Sequence, residues 1–223
     1  CRYMYDFGWD YFPARLHSTK EIIFFLENIK NLKKTINSLP TDIIDVVFGD
    51  IFNPRVINDS NIFFEKDLKY DMYQKIILEI STDKIYFYDK IPLNVFYTNI
   101  NENVLNKYKL EYKELTYDDI KNDILYIISL LYTLFDHNIK IYIISHCCLK
   151  IRNDNYNHIY IRLNLIDILN SICNELKIKF IDIGKCIDRT LKNIYFEDIM
   201  IDFIHYGYMY KYAMIKCIND ETL

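Results

Sequence analysis

Glycine and proline are scarce in this 223-residue chain, four of each, and tryptophan occurs once. That scarcity excludes a collagen-like or Gly/Pro-rich disordered chain. It also leaves no strand followed by a Gly-rich phosphate loop, which disfavours a Rossmann-like nucleotide enzyme. A basic excess is missing too: 27 Lys and Arg stand against 31 Asp and Glu, a formal net charge of −4. Domains that track a phosphate backbone usually carry the opposite balance, so nucleic acid is not an expected partner. No apolar run approaches the ~20 residues that cross a bilayer, and the first residues lack the charged-then-apolar order of a signal peptide. The expectation is a cytoplasmic, intracellular protein in a reducing compartment with no membrane partner. The six cysteines (Cys1, Cys147, Cys148, Cys173, Cys186, Cys217) form no CxxC pair and keep no regular spacing. That pattern speaks against a zinc cage and against a disulfide framework.

What is present is core material. Hydrophobic residues make up 51% of the chain and charged residues 26%, enough for one globular domain over 1–223. No repeat or linker divides it. The 21 Tyr and 14 Phe are interleaved with Ile and Lys throughout and read as general core and surface use. Heavy use of Ile, Asn, Lys and Tyr resembles the coding bias of an AT-rich genome, as in some large DNA viruses or protists. Cys173 and Cys217 stand at helical spacing among apolar residues and read as small buried hydrophobes.

Ser18 and Glu21 have the spacing of a capping box, and Ile22, Ile23, Leu26 and Ile29 then recur at helical steps, so a helix starts at Ser18. The run Ile43-Ile44-Asp45-Val46-Val47-Phe48, closed by Gly49-Asp50, reads as a buried strand. Further strands are expected at 75–80, 139–144 and 178–183, the last closed by Gly184. Thr116 and Asp119 open a long amphipathic helix, and helices are expected around 161–176 and from Tyr206-Gly207 onward. Nearly continuous apolar strands alternating with helices predict an α/β fold, three-layered and doubly wound around a parallel sheet of the flavodoxin-like kind. Ligands of such folds lie outside the carboxyl ends of the strands. The residues to inspect are therefore Gly49-Asp50, Ser81-Thr82-Asp83, Ser145-His146, Gly184 and the loop before the last helix.

In that last loop lies Asp202-Phe203-Ile204-His205-Tyr206-Gly207. A carboxylate three residues ahead of a histidine can orient the imidazole and stabilise its charged form, so that the ring takes a proton from a nucleophile.

Asp202-x-x-His205-Tyr206 before a terminal helix resembles the final motif of the SGNH/GDSL hydrolase superfamily. Cys1-Arg2 resembles the remainder of the G-[ST]-C-R motif of its branch with Cys at the nucleophile position, which includes GSCFA and WcbI-type polysaccharide-associated proteins and viral relatives. His17-Ser18-Thr19-Lys20-Glu21 resembles that branch's H-x-T-K-E segment, Leu78-Glu79-Ile80-Ser81-Thr82-Asp83-Lys84 its E-I-S-S-x-K strand end, and Ile144-Ser145-His146 its V-S-H strand end. The resemblance implies an SGNH-hydrolase-like fold whose first strand is missing ahead of Cys1. It implies Cys1 as nucleophile, His205 as proton shuttle and Asp202 as its orienting carboxylate. Ser81 or Thr82 would stand near the oxyanion, with Arg2, His146 and His17 lining the substrate. The implied activity is hydrolysis or transfer of an acyl group on a small molecule or glycan, without metal or cofactor. The alternative is an inactive SGNH-fold binding protein: Val46-Val47-Phe48-Gly49-Asp50-Ile51 resembles the V-V-F-G-D-S block of the serine branch, with Ile51 where the nucleophile belongs.

Overall fold

The computed structural model describes residues 16–31, 34–35, 38–44, 46–47, 73–135, 138–149, 157–191, 195, 198 and 208–222. Their elements are, in chain order, α1 (Thr19–Asn28), α2 (Thr41–Ile44), β1 (Lys75–Ile80), β2 (Lys84–Tyr88), β3 (Ile91–Leu93), α3 (Val95–Ile100), α4 (Glu102–Lys107), β4 (Glu111–Glu114), α5 (Tyr117–Leu134), β5 (Lys140–Ser145), α6 (Asn157–Leu176), β6 (Lys179–Ile181), α7 (Ile183–Leu191) and α8 (Tyr208–Thr222). They belong to two compact units. Of the described residues, one takes 77–81 and those from 141 onward, the other those from 16 to 76 and 82–140. The α/β expectation holds.

The first unit is built on a three-stranded sheet in the order β1-β5-β6. β5 and β6 run parallel, Tyr142, Ile143 and Ile144 facing Lys179, Phe180 and Ile181. The connection between them is α6, as parallel pairing requires a crossover. Ile143, Ile144 and Ile181 are buried, as are Leu169 and Ile172 of α6 and Ile187 of α7. Helix α8 packs on α7 and contributes Ala213, Met214, Cys217 and Ile218 to the same core.

Two cysteines depart from the sequence expectation. Cys186 of α7 and Cys217 of α8 form a disulfide with Cα atoms 5.9 Å apart, so Cys217 is a buried half-cystine. The pairing is created by one helix lying against the next, 31 residues on, and no local spacing encodes that. Gly184 is a second departure. It does not close a strand but lies in the first turn of α7, where a Cβ would strike the backbone carbonyl oxygen of Cys148. Alanine ordinarily stabilises a helix relative to glycine by about 0.5–1 kcal/mol. Here the sign reverses, because a carbonyl fixed by the chain cannot yield as a side-chain tip would. Gly184→Ala is expected to cost about 1–3 kcal/mol, read as a lowered urea midpoint. A stabilised variant would refute the close approach.

In the second unit the capping box at α1 forms as the sequence predicts. Ser18 accepts from the Glu21 amide, and Glu21 Oε2 takes the Ser18 amide at 2.8 Å. The carboxylate's other oxygen accepts from Asn94 Nδ2 at 3.0 Å, which satisfies a fully buried charge. α1 packs on α5 through apolar faces, Ile22, Phe25 and Leu26 on one side and Ile120, Ile124, Ile127 and Leu131 on the other. Asp123 of α5 accepts from Thr19 Oγ1 and Lys20 Nζ, each at 2.6 Å.

The described residues of the expected strand at 43–48 do not form one. Thr41–Ile44 is helical, the Pro40 carbonyl accepting from the Ile43 and Ile44 amides, and Val46 and Val47 turn back onto the Ile43 carbonyl. Residues 43, 44, 46 and 47 are all buried, and a short apolar run buried all round has no period that separates strand from helix. The stretch around Pro92 holds an antiparallel sheet, ordered β3-β2-β4. Its β2–β3 hairpin turns through Asp89 and Lys90, at φ 46° and 70°, the left-handed pair that a two-residue turn demands. Pro92 sits on the edge strand, where a missing N–H is tolerated.

The α5 capping box also forms, between Thr116 and Asp119. The Lys113 hydrogen bond first, then those of Thr116, hold the Asp119 carboxyl down at about 2. A depressed carboxylate contributes stability that is complete above its unfolded value, ~3.9, and disappears as pH falls through the folded one. Asp119→Asn is therefore expected to lose about 1 kcal/mol at pH 7 and only a small part of that near pH 2, where the folded carboxyl is half protonated. Paired urea titrations at the two pH values check it, and an equal loss at both would show the charge to be irrelevant.

Candidate functional site

Cys1, Arg2, Asp202 and His205 lie outside the described residues, as do Gly49, Asp50 and Ile51 of the alternative alignment. The other candidates divide between the two units. His17 and Thr82 meet in the second: the Thr82 amide donates to the His17 carbonyl at 3.1 Å. The Thr82 hydroxyl accepts from the Lys84 amide at 3.0 Å. Thr82 is thus committed to closing the turn after β1 by both its amide and its hydroxyl. The His17 amide in turn donates to Glu21 at 3.3 Å, so this histidine extends the α1 cap.

Ser81 and His146 belong to the first unit, each just past the end of its strand. His146 Nδ1 lies 2.8 Å from Glu79 Oε1. β1 and β5 are neighbours in the sheet, which places Glu79, one residue short of the end of β1, beside the residue that follows β5. Both side chains are only partly buried, at 20% and 27% exposure for His146 and Glu79. Burial alone would raise the Glu79 carboxyl, but positive charge around it, to which His146 contributes with its hydrogen bond, holds it below the usual carboxylate range. An ionised carboxylate on Nδ1 favours the tautomer with the proton there, so Nε2 becomes the nitrogen that exchanges protons. Such a pair can accept a proton from a hydroxyl, thiol or water and return it to a leaving group.

The floor of this region is rigid. Ser145 Oγ is buried and accepts from the Ile183 amide at 3.1 Å, tying the end of β5 to the start of α7. Asp182 accepts from the Lys185 amide at 3.0 Å and pairs with its ammonium at 3.2 Å. The thiols beside His146 are inert. Burial pushes Cys147 far above the ordinary thiol range, and Cys148 up to about 11. Burial likewise takes Cys173 to about 12. None of the three is a thiolate at neutral pH, the form a cysteine nucleophile needs. Among the described residues no group of three or more His, Cys, Asp or Glu converges as a metal site, and no helix is long and apolar enough to cross a membrane.

Glu79 is the site residue that the pattern of the chain does not single out. Its signals are its place as the Glu of the E-I-S-S-x-K strand-end resemblance, which attaches no role to it, and a carboxylate one residue before the end of an otherwise apolar strand, Ile76-Ile77-Leu78-Glu79-Ile80.

No protein-family model matches this chain, and no curated protein matches it as a relative. Two solved structures of Axe2 from Geobacillus stearothermophilus are similar to it. One is of a tryptophan-to-isoleucine mutant, described as an acetyl-xylooligosaccharide esterase. The other is of a catalytic mutant, described as an acetylxylan esterase. Each is 12% identical, with a TM-score of 0.46, over 74% of this chain and 66% of that one. The chain thus spans less than two thirds of their length.

Proposed function

We propose that this protein is an SGNH-like acyl hydrolase or acyltransferase acting on an acyl group carried by a small molecule or glycan, with neither metal nor cofactor. The observation that carries the reading is the Glu79–His146 pair at the neighbouring ends of β1 and β5. A carboxylate-held imidazole in that place supplies the proton transfer that acyl chemistry requires. The ordered motifs from Cys1 to His205 supply the remaining parts. The Cys1 thiolate attacks the acyl carbonyl, an S–C bond forms, and the alcohol leaves with a proton from His205, whose charge Asp202 stabilises. His146, positioned by Glu79, then takes a proton from water or an acceptor hydroxyl, which attacks the thioester and releases Cys1. Ser81, past the end of β1, is the strand-end group on the oxyanion side, and Arg2 neighbours the nucleophile in sequence.

The test is a search for the intermediate. Protein mixed with an activated acetyl ester and quenched in acid should carry one acetyl group, mapped by mass spectrometry to Cys1, and Cys1→Ala should carry none. His205→Ala should acylate far more slowly. Turnover undiminished in both variants would overturn the assignment, and a chain that never acylates would favour the inactive binding protein.

A further inference from the structure

Arg162 has a guanidinium nitrogen that no described residue satisfies. It lies in the second turn of α6, partly buried, and its Nη1 is buried without a hydrogen-bond partner among the described residues; the Thr98 hydroxyl is the other side-chain atom in that position. Elsewhere cations find carboxylates: Lys20 on Asp123, Lys113 on Asp119, Lys185 on Asp182 and Arg189 on Glu221. A buried donor without an acceptor costs about 1–3 kcal/mol, more when charged. Native structures keep such a group only where something else satisfies it.

Arg162 stands near the start of α6, the crossover helix between the parallel strands β5 and β6, and such a helix begins on the side of the sheet where the preceding strand ends. Its positive charge is felt by the thiols of Cys147 and Cys148, the two residues that follow His146. Asp182, past the end of β6, acts on the same two thiols, but its carboxylate oxygens are held by Lys185. The Cys148 backbone is in turn pressed against Gly184, so the segment cannot retreat from the helix start. Arg162 is thus a cation near the residues that follow β5, the side of the sheet where α/β folds take ligands, and its planar fork is shaped for an oxyanion.

We propose that Arg162 binds an anionic group of the substrate, a carboxylate or a phosphate, on the side of the sheet where β5 ends and the Glu79–His146 pair lies. As a statement about substrate it rests on the acyl-transfer reading; as a statement about binding it does not. The substrate class becomes an acyl compound bearing a negative charge away from the reacting carbonyl.

Binding is measured first, by calorimetry with inorganic phosphate and with acetate against a chloride background of equal ionic strength. At least one of the two should bind wild type tenfold or more tightly than Arg162→Met, which keeps much of the volume and removes the charge; which one it is identifies the group. Because the guanidinium's Nη1 makes no hydrogen bond among the described residues, Arg162→Met in chloride should melt no lower than wild type. Equal affinity in the two proteins overturns the proposal, and so does a lowered melting temperature with affinity unchanged. Should the methionine variant not fold, Arg162→Lys, which keeps the charge and loses the fork, should bind at least threefold more weakly, and undiminished binding overturns the proposal. Activity is measured second. Arg162→Met should raise KM tenfold or more for an ester bearing the anion that binds and leave a neutral ester unaffected. Anion binding without turnover of any ester would retain this site and reject the acyl-transfer reading.

Discussion

Replacing His146 with alanine is expected to slow steady-state turnover by about two to four orders of magnitude while sparing the first acylation. In the proposed sequence the thiolate is served by His205, and His146 acts on the attacking water or hydroxyl. Its loss should leave a burst of one acyl group per chain followed by a stall. Glu79→Gln should stall in a similar way, because a carboxamide can offer Nδ1 an N–H and so favour the opposite tautomer, leaving Nε2 protonated and unable to accept. The paired measurement is burst amplitude against steady-state rate. A merely structural role for the pair would lower both, together with the melting temperature. Wild-type turnover in His146→Ala would remove the pair from the mechanism and with it the observation on which the functional reading stands.

The second large effect is on stability. The Cys186–Cys217 bond closes a separation of 31 residues, and the loss of chain entropy in the unfolded state corresponds to about 3–4 kcal/mol. Both sulfurs lie in the core of the first unit, with Ile187, Ala213 and Ile218 around them, and the bond holds α8 to α7. Wild type in reductant, and the double variant Cys186→Ala/Cys217→Ala with or without it, should unfold at clearly lower urea than oxidised wild type. A wild-type transition insensitive to reductant would show that the bond contributes nothing. Disulfides persist mainly in oxidising compartments, so the same titration bears on the expectation of a reducing one.

The legible parts of this chain are those written locally. Ser18 with Glu21 and Thr116 with Asp119 announce helix starts because a cap needs only residues three apart. β5 stands out because its residues 142–145 are buried in succession, and β1 and β6 stand out because their sequences are runs of mostly apolar residues. The run from Ile43 misleads because its described residues, 43, 44, 46 and 47, are all buried, which erases the period that would tell helix from strand. The antiparallel sheet through Pro92 is hidden because partly exposed strands such as β4, Glu-Tyr-Lys-Glu, carry little apolar signal. At the candidate site His146 is visible as a histidine after a strand, whereas Glu79 acquires meaning only once β1 and β5 are neighbours. Arg162 is a step further removed, since its singularity consists of a partner that no described residue supplies.

The bond from Thr19 to Asp123 joins residues 104 apart, which has a consequence for synthesis on the ribosome. At about 5–20 residues per second, α1 emerges roughly 5–20 seconds before the helix that covers its apolar face. During that interval Ile22, Phe25 and Leu26 have no α5 to pack against. The nascent chain between those two events is where a chaperone would have most to do, and the Ser18–Glu21 cap, complete within four residues, is the one part of that helix that need not wait.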